Sequence, residues 1–157
     1  MLAGALVAVF FALPAEASGG RGMTWIKRSH FSTNGADWVG CDNGIFCNAY
    51  SGDTSCTASL PILCIKQDFS PAPAGLPADW YTGWANGHIT TTPPVQGLTL
   101  TSAAVADQIC AASFGSGWRM AQFHDGGGWN FYAYGNVRND MRFWVHISDQ
   151  PANCWNP

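Results

Sequence analysis

The sequence contains few charged residues and almost no glutamate. Charged residues make up 11% of the 157-residue chain, whereas aromatic residues make up 13%. The only glutamate is Glu16, and the formal net charge is −3. Such a composition lacks the basic patch that a nucleic-acid-binding protein needs, so we expect no nucleic acid as a partner. A surface of small polar and aromatic side chains suits uncharged ligands or contact with other copies of the chain.

Long apolar runs are missing after the N-terminus. Residues 2–13 are apolar and are followed by Pro14 and by Ala15-Glu16-Ala17, a pattern of small residues typical of a cleavage site. Because the run is shorter than the roughly 20 residues of a membrane-spanning helix, it predicts a signal peptide over 1–17. We therefore expect a secreted protein, extracellular or periplasmic, with a single domain over 18–157 and no membrane contact after signal removal.

Signatures of catalysis are missing as well. Ser116 lacks the glycine spacing of a nucleophile elbow, and the histidines lack the close pairing of a zinc helix. No spacing identifies two aspartates as a glycosidase pair. The sequence thus predicts a protein that is not an enzyme. The enzymatic alternative is a secreted hydrolase that uses Asp125 with His124.

Six cysteines follow the predicted signal, and in an exported chain an even number predicts a disulfide framework without a free thiol. The Pro-rich stretch 70–77 separates four cysteines from two. If each half closes its own bridges, three pairings remain open, and all of them contain Cys110–Cys154. The preferred pairing adds two nested bridges, Cys41–Cys64 and Cys47–Cys56.

The remaining pattern predicts an α+β fold, a small disulfide-stapled and loop-rich β domain with one main helix. The helix is expected over about 102–113, with Thr101 as its N-cap and Gly115 as its end. A four-cysteine half (24–66), a Pro-rich connection (68–79) and a two-cysteine half (80–157) follow one another. The predicted strands lie at 24–27, 37–40, 62–66, 117–121, 130–134 and 142–147.

The densest group of functional residue types lies in and after the loop 122–129. Three glycines at 126–128 allow close approach of a ligand to the backbone, and flanking aromatic rings offer flat apolar faces to which sugar rings bind well. The alternative is a hairpin whose glycines serve the turn and whose aromatic residues fill the core. The candidate ligand-binding residues of this segment are His124, Asp125, Trp129, Tyr132 and Tyr134.

A second candidate segment lies near the C-terminus and contains Asp149, Gln150 and Asn153. Their oxygens could bind hydroxyl groups or calcium, although the EF-hand pattern is missing. The alternative is a polar turn next to a disulfide. The same two interpretations apply to Asp37, Asp42, Asn43 and Asp53. We predict no metal site and no cofactor, with calcium as the only metal that these groups could bind.

Three fragments resemble C-type-lectin-like domains. Residues 53–65 are similar to the closing segment of that family, with an acidic residue before Cys56 and a strand containing Cys64. The helix with Cys110 and the following 118–121, and the strand 143–149, resemble two further segments. The fragments occur in a permuted order, and a Cys64–Cys110 bridge would favour that permuted topology. Gln150-Pro151 resembles a sugar-selecting triplet of the family, but Ala152 replaces its aspartate.

The resemblance implies a module with loops for calcium, sugar or protein binding. The leading hypothesis is a secreted, non-enzymatic binding module for a carbohydrate or another cell-surface ligand, such as a surface protein. An extracellular structural or assembly subunit that self-associates is the main alternative.

Overall fold

A seven-stranded sheet organises the computed structural model, which describes residues 20–41 and 47–156. One α-helix and three disulfides accompany the sheet, which confirms the predicted α+β, disulfide-stapled and loop-rich fold class. The strands are β1 (Arg21–Gly22), β2 (Thr24–Phe31), β3 (Ala36–Gly40), β4 (Thr54–Ser55), β5 (Ser59–Leu60), β6 (Leu63–Gln67), β7 (Thr82–Thr91), β8 (Val95–Gln96), β9 (Arg119–Met120), β10 (Asn130–Tyr134) and β11 (Phe143–Trp144). A 3-10 turn at Gly97–Thr99 precedes the helix α1 (Ala103–Phe114).

Strands from before and after the Pro-rich connection are interleaved in the main sheet. Its order is β11-β2-β3-β10-β7-β6-β9. Strand β10 lies in the middle, antiparallel to β3 and parallel to β7. The start of β10 and the start of β7 therefore lie at the same end of the sheet as the end of β3. The loops that precede β10 and β7 meet there.

Strand β7 was not predicted, and the predicted strand 142–147 is much shorter. Gly83, Asn86 and Gly87 interrupt the pattern of β7, and Asn86 has a positive φ of 58° where the pairing with β10 shifts. The segment 142–147 contains only the two paired residues of β11, together with isolated bridges from Trp144 to Ile62 and from His146 to Gln122. Its buried residues Phe143, Trp144 and Val145 are consecutive, so the segment crosses the core rather than covering one face of it.

The helix begins one residue later than predicted. Ser102, not Thr101, is the N-cap, because its hydroxyl accepts a hydrogen bond from the amide of Val105 at 3.2 Å. The helix ends at Gly115, which has a φ of 102°. The side of the helix that contains Ala106 and Cys110 packs into the protein.

The disulfide prediction was wrong in all three pairs. The bridges are Cys41–Cys47, Cys56–Cys154 and Cys64–Cys110, and not Cys41–Cys64, Cys47–Cys56 and Cys110–Cys154. The prediction assumed that each half closes its own bridges. Because the two halves share one sheet, two of the three bridges, Cys56–Cys154 and Cys64–Cys110, cross between them. Strand β6 pairs with β9, against which α1 packs, and this arrangement brings Cys64 to Cys110.

The two faces of the sheet differ in what covers them. Phe131 and Ala133 point into the main apolar core. Tyr132 and Tyr134 alternate with them and point to the other face, which the Pro-rich connection crosses. There the indole of Trp84 donates a hydrogen bond to the carbonyl of Ser70 at 2.8 Å. The hydroxyl of Tyr134 donates one to the carbonyl of Pro71 at 3.0 Å.

Within the described residues, the longest apolar helix is too short to cross a membrane. The predicted signal peptide at 1–17 lies outside those residues, as do Asp42 and Asn43.

Candidate ligand-binding site

The two segments predicted to bind a ligand meet at a cavity of about 220 Å³. The loop 122–129 contributes Phe123, His124 and Trp129, and the C-terminal turn contributes Asp149 and Gln150. Four of the eight predicted ligand-binding residues thus line one cavity. We call it the aromatic pocket, and its principal side chains are Tyr50, Phe123, His124, Trp129, Asp149 and Gln150.

Three aromatic rings shape this pocket. Phe123 is buried and meets Trp129 edge to face, with ring centroids 5.1 Å apart. Tyr50 also meets Trp129 edge to face, with ring centroids 6.2 Å apart. In such a pair the ring that presents its edge keeps both of its faces clear of the other ring. Since Trp129 is half-buried and Tyr50 is 61% exposed, a ligand can reach these rings.

Polar groups stand beside the rings. Nε2 of His124 lies 3.3 Å from a carboxylate oxygen of Asp149, and both side chains are substantially exposed. Within the described part of the chain, the side-chain amide of Gln150 bonds to no protein group, so its donor and acceptor capacity remains available. The pocket therefore combines flat apolar faces with groups that can orient hydroxyls.

Asn153 shapes the turn rather than lining the pocket. Its side chain accepts a hydrogen bond from the amide of Ile147 at 3.0 Å and donates to the carbonyls of Ile147 and Gln150. The residue is buried, so these bonds fix the backbone on which Asp149 and Gln150 stand. This arrangement agrees with the polar turn that was the alternative interpretation.

Asp125 is part of an internal ion pair. Both of its oxygens accept hydrogen bonds from Arg119, at 2.5 and 3.1 Å, and one also accepts from the amide of Gln122 at 2.7 Å. The carboxylate is nearly buried. His124 therefore pairs with Asp149 and not with Asp125.

A second cavity of about 250 Å³ lies on the Asp125 side of the loop, and we call it the polar cavity. It is lined by Asp107, Arg119, Met120, Gln122, Asp125 and His146. Burial lowers the pKa of His146, an effect that the carboxylates of Asp107 and Asp125 oppose and the charge of Arg119 adds to. The imidazole also stacks on Trp155, with ring centroids 5.3 Å apart.

Tyr132 and Tyr134 lie away from both cavities. Tyr134 packs against Trp84 at 4.8 Å and holds the Pro-rich connection. Tyr132 is buried against Trp38. Burial raises the pKa of Tyr132, and the nearby Asp79 carboxylate adds to this effect. Both tyrosines thus pack against other side chains of the protein, as the alternative interpretation of this segment expected.

Two acidic residues of the first half, Asp37 and Asp53, hold the fold together. Asp37 accepts hydrogen bonds from the amide of Val137 and pairs with Lys27. Asp53 accepts from the hydroxyls of Thr24 and Thr54. Among the residues that the structure describes, no group of three histidines, cysteines or acidic residues could hold a metal ion.

Tyr50 was missed from the sequence. It lies at the tip of a turn in which the side chain of Asn48 accepts hydrogen bonds from the amides of Tyr50 and Ser51, each at 3.0 Å. The pattern Asn48-x-x-Ser51-Gly52 indicates such a turn, and an aromatic residue at an exposed tip could have been noticed. The sequence gives no sign that Tyr50 lies near Trp129, which follows almost eighty positions later.

Comparison with known proteins found no matching family model, curated protein or solved structure. The geometry of the chain itself must therefore carry any functional assignment.

Proposed function

We propose that the protein is a non-enzymatic binding module whose aromatic pocket holds a carbohydrate. The observation that carries the proposal is the placement of His124, Asp149 and Gln150 beside the rings of Tyr50 and Trp129. A sugar ring has apolar faces and a rim of hydroxyl groups. Stacking on the rings and hydrogen bonding to the polar groups would satisfy both.

The size and charge of the pocket support a small neutral unit. Its volume of about 220 Å³ is below the roughly 300–1,000 Å³ of pockets for drug-sized ligands, so it suits a single sugar ring. His124 and Asp149 are the only basic and acidic side chains among its principal residues, and they already face each other. A strongly charged ligand would have to break that pair.

The Cys64–Cys110 bridge supports the proposed likeness to a permuted C-type-lectin-like domain. Because one fold hosts many ligands, this likeness by itself names no sugar. We further propose a location outside the cytoplasm, extracellular or periplasmic, since three disulfides persist in oxidising compartments.

A glycan array probed with residues 18–157, with calcium and with a chelator, tests the proposal. We expect binding to one class of neutral glycan, with no loss in chelator. Tyr50→Ala and Trp129→Ala should each weaken binding at least about tenfold, corresponding to about 1.4 kcal/mol. Tyr50→Ala is the cleaner variant because its exposed ring contributes little to stability.

Phe69→Ala is the matched control, because Phe69 is 87% exposed and is absent from the pocket lining. It should bind like the wild type. An array without any bound glycan, or full binding by both pocket variants, would refute the proposal.

A second candidate function is an extracellular assembly subunit. The strong exposure of Phe69 and Trp80 favours it, since exposed apolar patches often mark contacts between proteins. Sedimentation velocity over a hundredfold range of concentration distinguishes the two functions. Growth into oligomers that Trp80→Ala abolishes would support assembly, and a monomer at the highest concentration would contradict it.

A further inference from the structure

We infer that the ligand is a glycan chain rather than a single sugar, and that Trp80 and Tyr81 bind units beyond the aromatic pocket. This inference rests on the proposed function and names its ligand class. Trp80 is 84% exposed and Tyr81 is 63% exposed, so two adjacent large rings stand in water. Large aromatic residues are normally well buried, and an exposed pair indicates a contact surface.

Hydrogen bonds hold the backbone of the turn that carries these rings. A carboxylate oxygen of Asp79 accepts hydrogen bonds from the amides of Tyr81 at 2.8 Å and Thr82 at 2.7 Å. The amide of Asp79 in turn donates to the carbonyl of Thr82 at 3.0 Å. Rings on a fixed backbone lose little conformational entropy when a ligand binds. The exposure of Trp80 and Tyr81 is thus built into an ordered turn.

This turn is packed against the glycine loop that leads to Trp129. The amide of Gly83 donates to the carbonyl of Gly126 at 2.8 Å. A Cβ atom at Gly83 would lie 2.2 Å from that carbonyl oxygen, so only glycine permits the contact. Gly127 has a φ of 104°, and a Cβ there would lie 3.0 Å from the carbonyl oxygen of Trp80. The glycines therefore hold two aromatic segments together.

Chain length limits the distance between the two sets of rings. Trp129 follows Gly127 by two residues, which span at most about 7 Å. The carbonyl oxygen of Trp80 lies 3.0 Å from the place that a Cβ on Gly127 would occupy, so the Trp80 backbone lies next to the loop that supplies one wall of the pocket. Since the pocket suits one ring, Trp80 and Tyr81 are in place for the following units of a chain.

The occupant is a neutral chain. Asp79 is the only ionisable group between residues 69 and 80, and its carboxylate is bound to the backbone of its own turn. The segment contains no lysine or arginine for an acidic polymer. Flat rings whose one charged neighbour in this segment is already bound to backbone amides match the faces of successive uncharged sugars.

The test compares ligand lengths. Calorimetric titrations would use gluco-, xylo-, manno- and chito-oligosaccharides of one and six units, with the parent polysaccharides as a further probe. For the sugar class that binds, we expect the six-unit chain to bind at least about tenfold more tightly than the single unit. Trp80→Ala should remove most of that difference and leave single-unit affinity unchanged, whereas Trp80→Tyr should retain part of it.

Phe69→Ala again serves as the exposed aromatic control, and Trp129→Ala should weaken both lengths. Equal affinity for one and six units, or a Trp80→Ala variant that keeps the full difference, overturns this inference while the pocket proposal stands. If no probe of any length binds the wild type, both proposals fail. The inference is also overturned if the Trp80→Ala variant changes self-association but not the affinity for either oligosaccharide length.

Discussion

The aromatic pocket and the polar cavity share one loop, yet their polar groups are used differently. Phe123 and His124 face the first, and Gln122 and Asp125 line the second. In the polar cavity, Arg119 binds Asp125 through two nitrogens and also donates to the side chain of Gln67 at 2.7 Å. These two charges satisfy one another, with Asp125 nearly buried and Arg119 about one-third exposed, so the pair belongs to the architecture of the loop.

The aromatic pocket shows the opposite arrangement. His124 and Asp149 form a single exposed contact at 3.3 Å, and an exposed ion pair contributes little to stability. Tyr50 is likewise exposed. The side chains of Tyr50, His124 and Asp149 contribute little to the stability of the fold, although hydrogen bonds fix the backbone that carries Asp149. These side chains are therefore available for a ligand. The comparison teaches that residue type alone does not identify a site, because Asp125 and Asp149 have the same chemistry and different partners.

The largest expected effect in this comparison comes from Asp125→Asn. The substitution removes the charge that Arg119 faces, and losing charge-assisted hydrogen bonds should lower the free energy of unfolding by about 2 kcal/mol. Urea denaturation measures the change. Affinity for glycan, measured where the variant is folded, should remain that of the wild type.

Asp140→Asn is the control for that variant, since Asp140 pairs with Arg138 at the exposed surface and its loss should change stability much less than the loss of Asp125 does. An Asp125→Asn protein that is equally stable but cannot bind would place Asp125 in the ligand site. If the wild type hydrolyses a glycan and folded Asp125→Asn does not, the hydrolase hypothesis returns.

A smaller effect is expected from His146 and concerns pH. Burial lowers the pKa of His146 in the folded state, so the unfolded chain binds more protons at mildly acid pH. Stability should therefore fall as pH drops below the ordinary histidine pKa of about 6.5. His146→Asn should make the urea midpoint less dependent on pH between 7.5 and 5.5. The groups that face the imidazole are Asp107, Asp125, Arg119 and Trp155.

The dependence of the urea midpoint on pH tests whether His146, in the polar cavity, affects stability and not ligand binding. An unchanged slope in His146→Asn would mean that other groups carry the pH dependence. A changed glycan affinity in the same variant would show that the polar cavity takes part in binding.

The smallest effect on stability is expected from Asp149→Asn. Breaking its exposed contact with His124 should change the free energy of unfolding by less than about 0.5 kcal/mol. If the carboxylate accepts a hydrogen bond from the ligand, affinity should fall by about threefold to tenfold. Thermal melting and calorimetry on the same samples separate the two results. A large loss of stability without a loss of affinity would show that Asp149 has a structural role, like Asp125, and does not bind the ligand.

Local elements were predictable because their signals are local. The strand at Asn130–Tyr134 has the predicted bounds, and the helix differs by one residue at each end. Strand β7 was not predictable, because its glycines serve contacts with β6 and with Gly126 that lie far away in sequence. The pairing of cysteines failed for the same reason, since it follows the order of strands in the sheet.

Half of the predicted ligand-binding residues line the aromatic pocket. His124, Trp129, Asp149 and Gln150 meet as expected, because a mobile-looking glycine loop and a polar turn both indicated exposed functional segments. Asp125 and Asn153 have the same residue types but bond internally, and Tyr132 and Tyr134 point to the other face of the sheet. Such differences depend on partners at a distance.

Composition and short-range pattern carry enough information to predict the fold class, the helix, most central strands and the two segments that meet at the aromatic pocket. The tertiary structure was needed to show which cysteines pair, which aspartates are already neutralised and which aromatic rings remain in water. Those outcomes depend on long-range neighbours. In a chain with few charges, the partner of each charge, rather than its presence, distinguishes a structural residue from a binding one.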